Sequence, residues 1–397
     1  MQYDLVFEGG GAKGMAFVGA VRELMSAGHS CNRLLGTSAG AITATLLAAG
    51  YGPDEMSAAM NEKSGGKPVF TEFMGRPENF TAAELDASAT LQLLHNIDIT
   101  LLPKFLEDKM DRKVTEALAS GDKSRHMVAL IERGGWFAAS RFVTWLQAKL
   151  DSGKGSDGNP RAYSKLTLKE FFDKTHVDLS MVVSDTTDRK LRVLNHRTAP
   201  DCPIVWAVRM SMSIPLVWDE VYWQPAWGKY RNQDVTGHVF VDGGLLSNFP
   251  LELFISGAPE VTNVMGPKQG NPVLGLLIDE KLEVPVANRG FMVQSSVKAA
   301  ELAIVQRIER LVNTAMGAHD NRVIEEHGDI IVRLPAKGYG TTEFDMDETR
   351  LGALVEAARR AMETWLATAP RATSTGFGFA PARTEKATAV AVGILAQ

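Results

Sequence analysis

Two rhythms of apolar residues alternate along the chain. Short apolar runs at about 3–8, 31–36, 180–186, 190–195, 238–241, 273–279 and 329–333 read as buried strands. Between several of them the apolar positions recur at helical spacing. Met15, Val18, Val21, Leu24 and Met25 share one helix face, and that helix stops at Gly28. A second helix over 41–49 closes at Gly50. Longer amphipathic patterns cover 289–316, which predicts a core-packing or oligomer-contact helix, and 347–369. Strands interleaved with helices predict an α/β fold around a sheet.

The rhythm breaks in two places. The Gly-, Ser- and Asp-rich run over 151–160 predicts a flexible surface loop that ends a mainly helical insertion at about 60–178. From 370 to 397 the chain is small, polar and rich in Gly, Ala and Thr, which predicts a tail that is mobile or held by a partner. The expected organisation is one catalytic domain over 1–369 followed by this tail.

Composition narrows the class. The 397 residues are 45% hydrophobic and 22% charged, ordinary globular values. A net charge of −5 argues against nucleic acid as the main partner. Cys31 and Cys202 cannot form a disulfide framework, so a reducing, cytoplasmic setting is expected. The first strand starts almost at Met1, which argues against a signal peptide, and no apolar run is long enough to span a bilayer. The histidines and cysteines show no metal-ligand spacing, so neither a metal nor a cofactor is expected.

Three glycine motifs carry the chemistry. Gly9-Gly10-Gly11-Ala12-Lys13-Gly14 joins the first strand to the first helix, where unpaired backbone N–H groups suit a phosphate or a developing oxyanion. The same glycines fit a dinucleotide fingerprint, but that reading needs an acidic residue about 20 positions on. There is no Asp or Glu from Leu24 through Pro53. Gly36-Thr37-Ser38-Ala39-Gly40 lies at the next strand-to-helix turn, where a sharp elbow exposes a serine oxygen. Ser38 then needs a base. His319 and His327 lie in a polar stretch without turn chemistry to aim them. Asp242-Gly243-Gly244 ends the strand at 238–241, and a partly desolvated carboxylate there is a stronger base than in water. Lys13 either draws anionic substrate or sits solvated at the helix start.

Taken in this order, the motifs resemble the patatin-like phospholipases. Two further segments fit family blocks: Arg209-Met210-Ser211-Met212-Ser213-Ile214-Pro215 and Asn248-Phe249-Pro250. The resemblance covers residues 1–50 and about 180–256. It implies a three-layer α/β fold, with a parallel-centred sheet covered by helices. It also implies a dyad of Ser38 as nucleophile and Asp242 as general base, within an elbow marked by Gly36 and Gly40 and a base turn of Gly243 and Gly244. The oxyanion loop would be Gly9 to Gly14, chiefly the backbone of Gly10, Gly11 and Ala12. The implied activity is hydrolysis of acyl esters of phospholipids or related glycerolipids. A thioesterase or acyltransferase using the same serine, and a non-catalytic ligand module using the glycine loop, are the alternatives. Head group, acyl position and any activator or oligomeric partner are left open.

Lipid access has its own candidate. Residues 123–149 carry five basic side chains (Lys123, Arg125, Arg133, Arg141, Lys149) against Glu132. Ala138, Phe142, Trp145, Leu146 and Leu150 form one helical face. A basic, aromatic, amphipathic helix suits transient contact with an anionic membrane, and equally an insertion helix packed on the core. Four tryptophans between Trp206 and Trp227 predict core packing, or else an acyl-facing wall.

Overall fold

The computed structural model describes residues 1–88, 122–285, 321–368 and 381–396, together with 307 and 314. The helix expected at 289–316 and His319 lie outside the described residues, apart from those two positions.

The strands of the main sheet are β1 (Gln2–Phe7), β2 (Ser30–Thr37), β3 (Asp178–Asp185), β4 (Lys190–Leu194), β5 (Val221–Tyr222), β6 (Val239–Asp242), β7 (Val273–Asp279) and β8 (Ile331–Pro335). They run in the order β8-β7-β1-β2-β3-β6-β5, with β4 also on β3. The pairs from β8 to β3 are all parallel. The helices used below are α1 (Ala16–Ser26), α2 (Ala39–Ala48), α3 (Ser140–Asp151), α4 (Ile204–Ser211), α5 (Glu252–Ile255), α6 (Glu348–Thr368) and α7 (Pro381–Ala396).

Parallel strands buried on both faces read as continuous apolar runs, and the side-chain period of two then divides them between two cores. Leu5, Phe7, Leu34, Leu274, Leu276, Val332 and Leu334 join one cluster with α1, α2, α4 and α6. Val6, Leu35, Val273, Leu277 and Ile331 join the other, with α5 and α7. The result is a three-layer α/β sandwich.

One junction of this sheet positions the site. β3 pairs along one edge with antiparallel β4, from Met181↔Leu194 to Asp185↔Lys190. Its other edge is shared. Parallel β2 takes the first part, up to Thr37↔Val182. Antiparallel β6 takes the rest, from Phe240↔Asp185 to Asp242↔Val183. Because β6 runs against β2, their carboxyl ends meet head-on at Val182 and Val183.

Two expectations are corrected. Residues 381–396 are not a loose tail: they form α7, which buries Ala387, Ala391 and Ile394 against the second core. The apolar face of the basic segment is not open to a membrane either. Phe142, Trp145, Leu146 and Leu150 of α3 are buried, and the rings of Phe142 and Trp145 pack on Phe73. Trp136 and Phe137 are buried as well. Arg133 and Lys149 are paired with Glu84 and Glu62. The core-packing reading of this helix is the one the geometry supports, because burying four large apolar groups outweighs leaving them exposed.

Candidate active site

Ser38 follows β2 and precedes α2. Its backbone has φ 53° and ψ −121°, a region that non-glycine residues rarely enter. Such strain costs about 1–3 kcal/mol and persists only where the surroundings fix it. The surroundings here are Gly36 and Gly40. A Cβ on Gly36 would lie 2.4 Å from the Gly40 carbonyl, and one on Gly40 would lie 2.5 Å from the Phe7 carbonyl oxygen. No side chain fits either position, so the elbow is as tight as two bare backbones allow. The Ser38 N–H donates to Ser211 Oγ at 3.1 Å, and Ser211 Oγ donates to the Val182 carbonyl at 2.7 Å.

Asp242 ends β6 in full burial. Its N–H donates to the Ser213 carbonyl at 2.9 Å, and its Oδ1 accepts from the Gly244 N–H at 2.8 Å. Gly243 lies so close to β3 that a Cβ would meet the Val182 carbonyl oxygen at 2.3 Å. Burial pushes the carboxyl up to about 7, against the smaller opposing pulls of the Ser38 hydroxyl and the Gly244 N–H. Oδ2 is buried and closes no hydrogen bond of standard geometry. The Ser38 hydroxyl lies within reach of the carboxyl and pulls its titration down. Contacts of this kind are commonly long before substrate binds.

The first glycine loop packs against this pair. Gly9 faces the Ser38 Cβ, and Gly14 faces Ala39. Asn248 brackets Gly9: its carbonyl accepts the Gly9 N–H at 3.1 Å, and its Nδ2 donates to the Gly9 carbonyl at 3.0 Å. Gly11 has φ +54°. The N–H of Ala12 is taken up by the Thr341 carbonyl at 2.8 Å, so Ala12 is not an open donor. Among the described residues, the N–H groups of Gly10 and Gly11 make no hydrogen bond. Lys13 is buried and ion-paired with Glu280, which leaves neither of its expected roles.

Ser38 opens on a narrow cavity of about 40 Å³. Its walls are apolar: Met15, Ile42, Phe70, Phe73, Met212, Trp218 and Phe344. A second hollow of about 30 Å³ shares Ala12, Met15, Met60, Phe70 and Phe344, and reaches Lys63 and Glu348. Phe70 and Phe73 come from the insertion, and Trp218 from the tryptophan-rich stretch. Trp223 and Trp227 are core residues, while Trp206 lies against Trp227 with the rings tilted by 31°. His327 belongs elsewhere: it is buried, with its ring nitrogen on Arg383 at 3.1 Å.

Sequence reasoning missed Thr341, Phe344 and the serine pair 211 and 213 as parts of this site. Only the last had a signal, in the Arg209–Pro215 block.

The described acidic and histidine groups close enough to share a cation are Asp185, Asp188 and His238. Arg192 already sits on both carboxylates, at 3.3 and 2.7 Å, and supplies the positive charge there. No helix among the described residues is long and apolar enough to cross a membrane.

A family profile described as "Patatin-like phospholipase" matches residues 5–255, insertion included. The uncharacterized protein YqhO of Bacillus subtilis (strain 168) is 28% identical over 374 residues, covering 92% of this chain and 98% of that protein. The probable lipid hydrolase 463L of Invertebrate iridescent virus 6 is 23% identical over 251 residues, covering 63% of this chain and 62% of that protein. Among solved structures, VipD from Legionella pneumophila aligns with a TM-score of 0.44 and 18% identity, over 92% of this chain and 67% of that one.

Proposed function

Because the chain belongs to the patatin-like phospholipase family, a family of lipid hydrolases, we propose that it cleaves acyl esters of phospholipids or related glycerolipids with a Ser38–Asp242 dyad. One observation carries this reading. A strained, glycine-framed serine sits beside a fully buried carboxyl that titrates near 7, at the head of an apolar cavity.

The reaction would run in two halves. Ser38 Oγ attacks the ester carbonyl while Asp242 takes its proton; a base that titrates near the working pH suits this transfer. The N–H groups of Gly10 and Gly11 receive the oxyanion, a charge present only in the transition state and the tetrahedral intermediate. The tetrahedral carbon then releases the alcohol, which leaves with the proton held by Asp242. Water repeats the sequence on the acyl-serine and frees the fatty acid. The apolar walls favour the acyl chain and hold water away from it.

Two assays test the reading. A fluorophosphonate probe should label the protein at Ser38 and leave Ser38→Ala unlabelled. Incubation with mixed liposomes should release free fatty acid and a lyso-lipid, identified by mass spectrometry. Labelling without any lipid product, but with turnover of acyl thioesters, would replace the lipid substrate with the thioesterase alternative. Persistent labelling of Ser38→Ala would remove Ser38 from the mechanism.

A further inference from the structure

The end of α4 and the turn that follows it touch both halves of the dyad through their backbones. Ser211 Oγ accepts the Ser38 N–H at 3.1 Å, and two residues on, the Ser213 carbonyl accepts the Asp242 N–H at 2.9 Å. Between them, the Met212 side chain lines the cavity at Ser38. Ser211 is fully buried. Its hydroxyl proton goes to the carbonyl of Val182, the β3 residue that pairs with Thr37.

Each of these facts has a physical consequence. A serine held at φ 53° is under strain, and its N–H points away from the hydrogen bonds of a regular strand or helix. That buried N–H needs an acceptor, and the acceptor must be held in turn. Ser211 meets both needs with one oxygen: it accepts from the nucleophile's backbone and donates to the neighbouring strand. The donation to Val182 also leaves the Ser211 lone pairs free to face Ser38.

We infer that Ser211 is a positioning residue for the nucleophile. It holds the strained Ser38 backbone in register with β3, and so sets the distance between Ser38 Oγ and the Asp242 carboxyl. The role is exerted through Ser38 and involves no contact with substrate. This inference rests on Ser38 being the nucleophile.

Ser211→Ala removes the acceptor and leaves the rest of the fold in place. On a soluble short-chain ester, kcat should fall by on the order of 10²-fold, the loss expected when a reacting group is misplaced by about 1 Å. KM should stay within about twofold, because the apolar walls are untouched. The acid limb of the pH–rate profile should keep its midpoint near 7, because Asp242 stays buried. The rate of fluorophosphonate labelling should fall in parallel with kcat. Thr198→Val serves as the comparison. It also deletes a fully buried hydroxyl, one bonded to the Val193 carbonyl at 2.5 Å on the edge of β3 opposite Ser38, and should keep wild-type kcat.

A kcat for Ser211→Ala within about threefold of wild type overturns the inference, provided Ser38→Ala is dead in the same assay. So does an equal kcat loss in Thr198→Val, which would make the effect one of general destabilisation. Should Ser211→Ala fail to fold, Ser211→Cys replaces it. Its thiol is of similar size but a weak acceptor. It should fold and lose at least tenfold in kcat, and wild-type kcat there also overturns the inference. If Ser38→Ala itself still labels and turns over, the dyad reading fails first and takes this inference with it.

Discussion

Replacing Asp242 by Asn should destroy activity and, at alkaline pH, make the protein more stable. The carboxyl titrates at about 7 in the fold because it is fully buried, against an ordinary value of 3.8. A group that binds its proton more tightly when folded favours the fold at low pH. That advantage is complete below 3.8 and is lost as pH rises toward and through 7. Relative to the protonated carboxyl, the linkage penalty is about 1.7 kcal/mol at pH 5 and about 4.3 kcal/mol at pH 8. Asn carries no charge at either pH. Its amide nitrogen takes the place of Oδ2, the oxygen that lacks a standard hydrogen bond, at a cost of about 1–3 kcal/mol that does not vary with pH. The pH-dependent part is therefore the quantity to measure. Urea unfolding of both proteins at pH 5 and pH 8, followed by tryptophan fluorescence, should show Asp242→Asn gaining about 2.6 kcal/mol on the wild type between the two values. Asp219, also raised by burial, to about 6, is present in both proteins and cancels in the difference. In parallel, kcat/KM of the wild type should rise through a midpoint near pH 7, and kcat of Asp242→Asn should fall roughly 10⁴-fold or more. A stability difference that stays constant from pH 5 to pH 8, or an activity limb centred near pH 4, would refute the argument that a buried, protonatable base drives this site.

Further outcomes follow from the local geometry. Ser38→Gly and Ser38→Ala should both be inactive, but thermal or urea unfolding should find the Gly variant more stable by about 1 kcal/mol, because glycine accepts φ 53° without strain. Equal stabilities would mean that the elbow stores no strain. Gly11→Ala should lose more kcat than Gly10→Ala: at Gly11 the new Cβ meets the Thr341 carbonyl at 2.2 Å with φ +54°, whereas at Gly10 it meets only the movable end of Ile278. Steady-state kinetics on a soluble ester decides the order. Trp145→Ala should cost about 3–5 kcal/mol of stability and lower vesicle and soluble-ester hydrolysis together, since this ring is buried. Loss confined to vesicles would restore a membrane role for α3.

Much of this molecule was legible in the chain itself. The strand runs and helix faces are local periodicities, and local sterics and burial determine them, so the main sheet was largely readable before any contact was known. The three glycine motifs were readable for a related reason. A backbone held at positive φ, or against another backbone, admits almost no other residue, so Gly11, Gly36 and Gly40 mark their own sites. Other features depended on which distant segments came to lie together. No local pattern shows that the aromatic face of α3 is covered by Phe70 and Phe73, or that residues 381–396 dock as α7, because an amphipathic or small-residue helix reads alike whether or not a neighbour covers it. The fate of Lys13, of the Ala12 N–H and of the Ser38 N–H was set by Glu280, Thr341 and Ser211, each far away in sequence. The approach of Ser38 to Asp242 required β2 and β6 to share one edge of β3 and meet there end to end. The raised pKa of Asp242 is likewise a property of its burial, which exists only once the chain has closed around it.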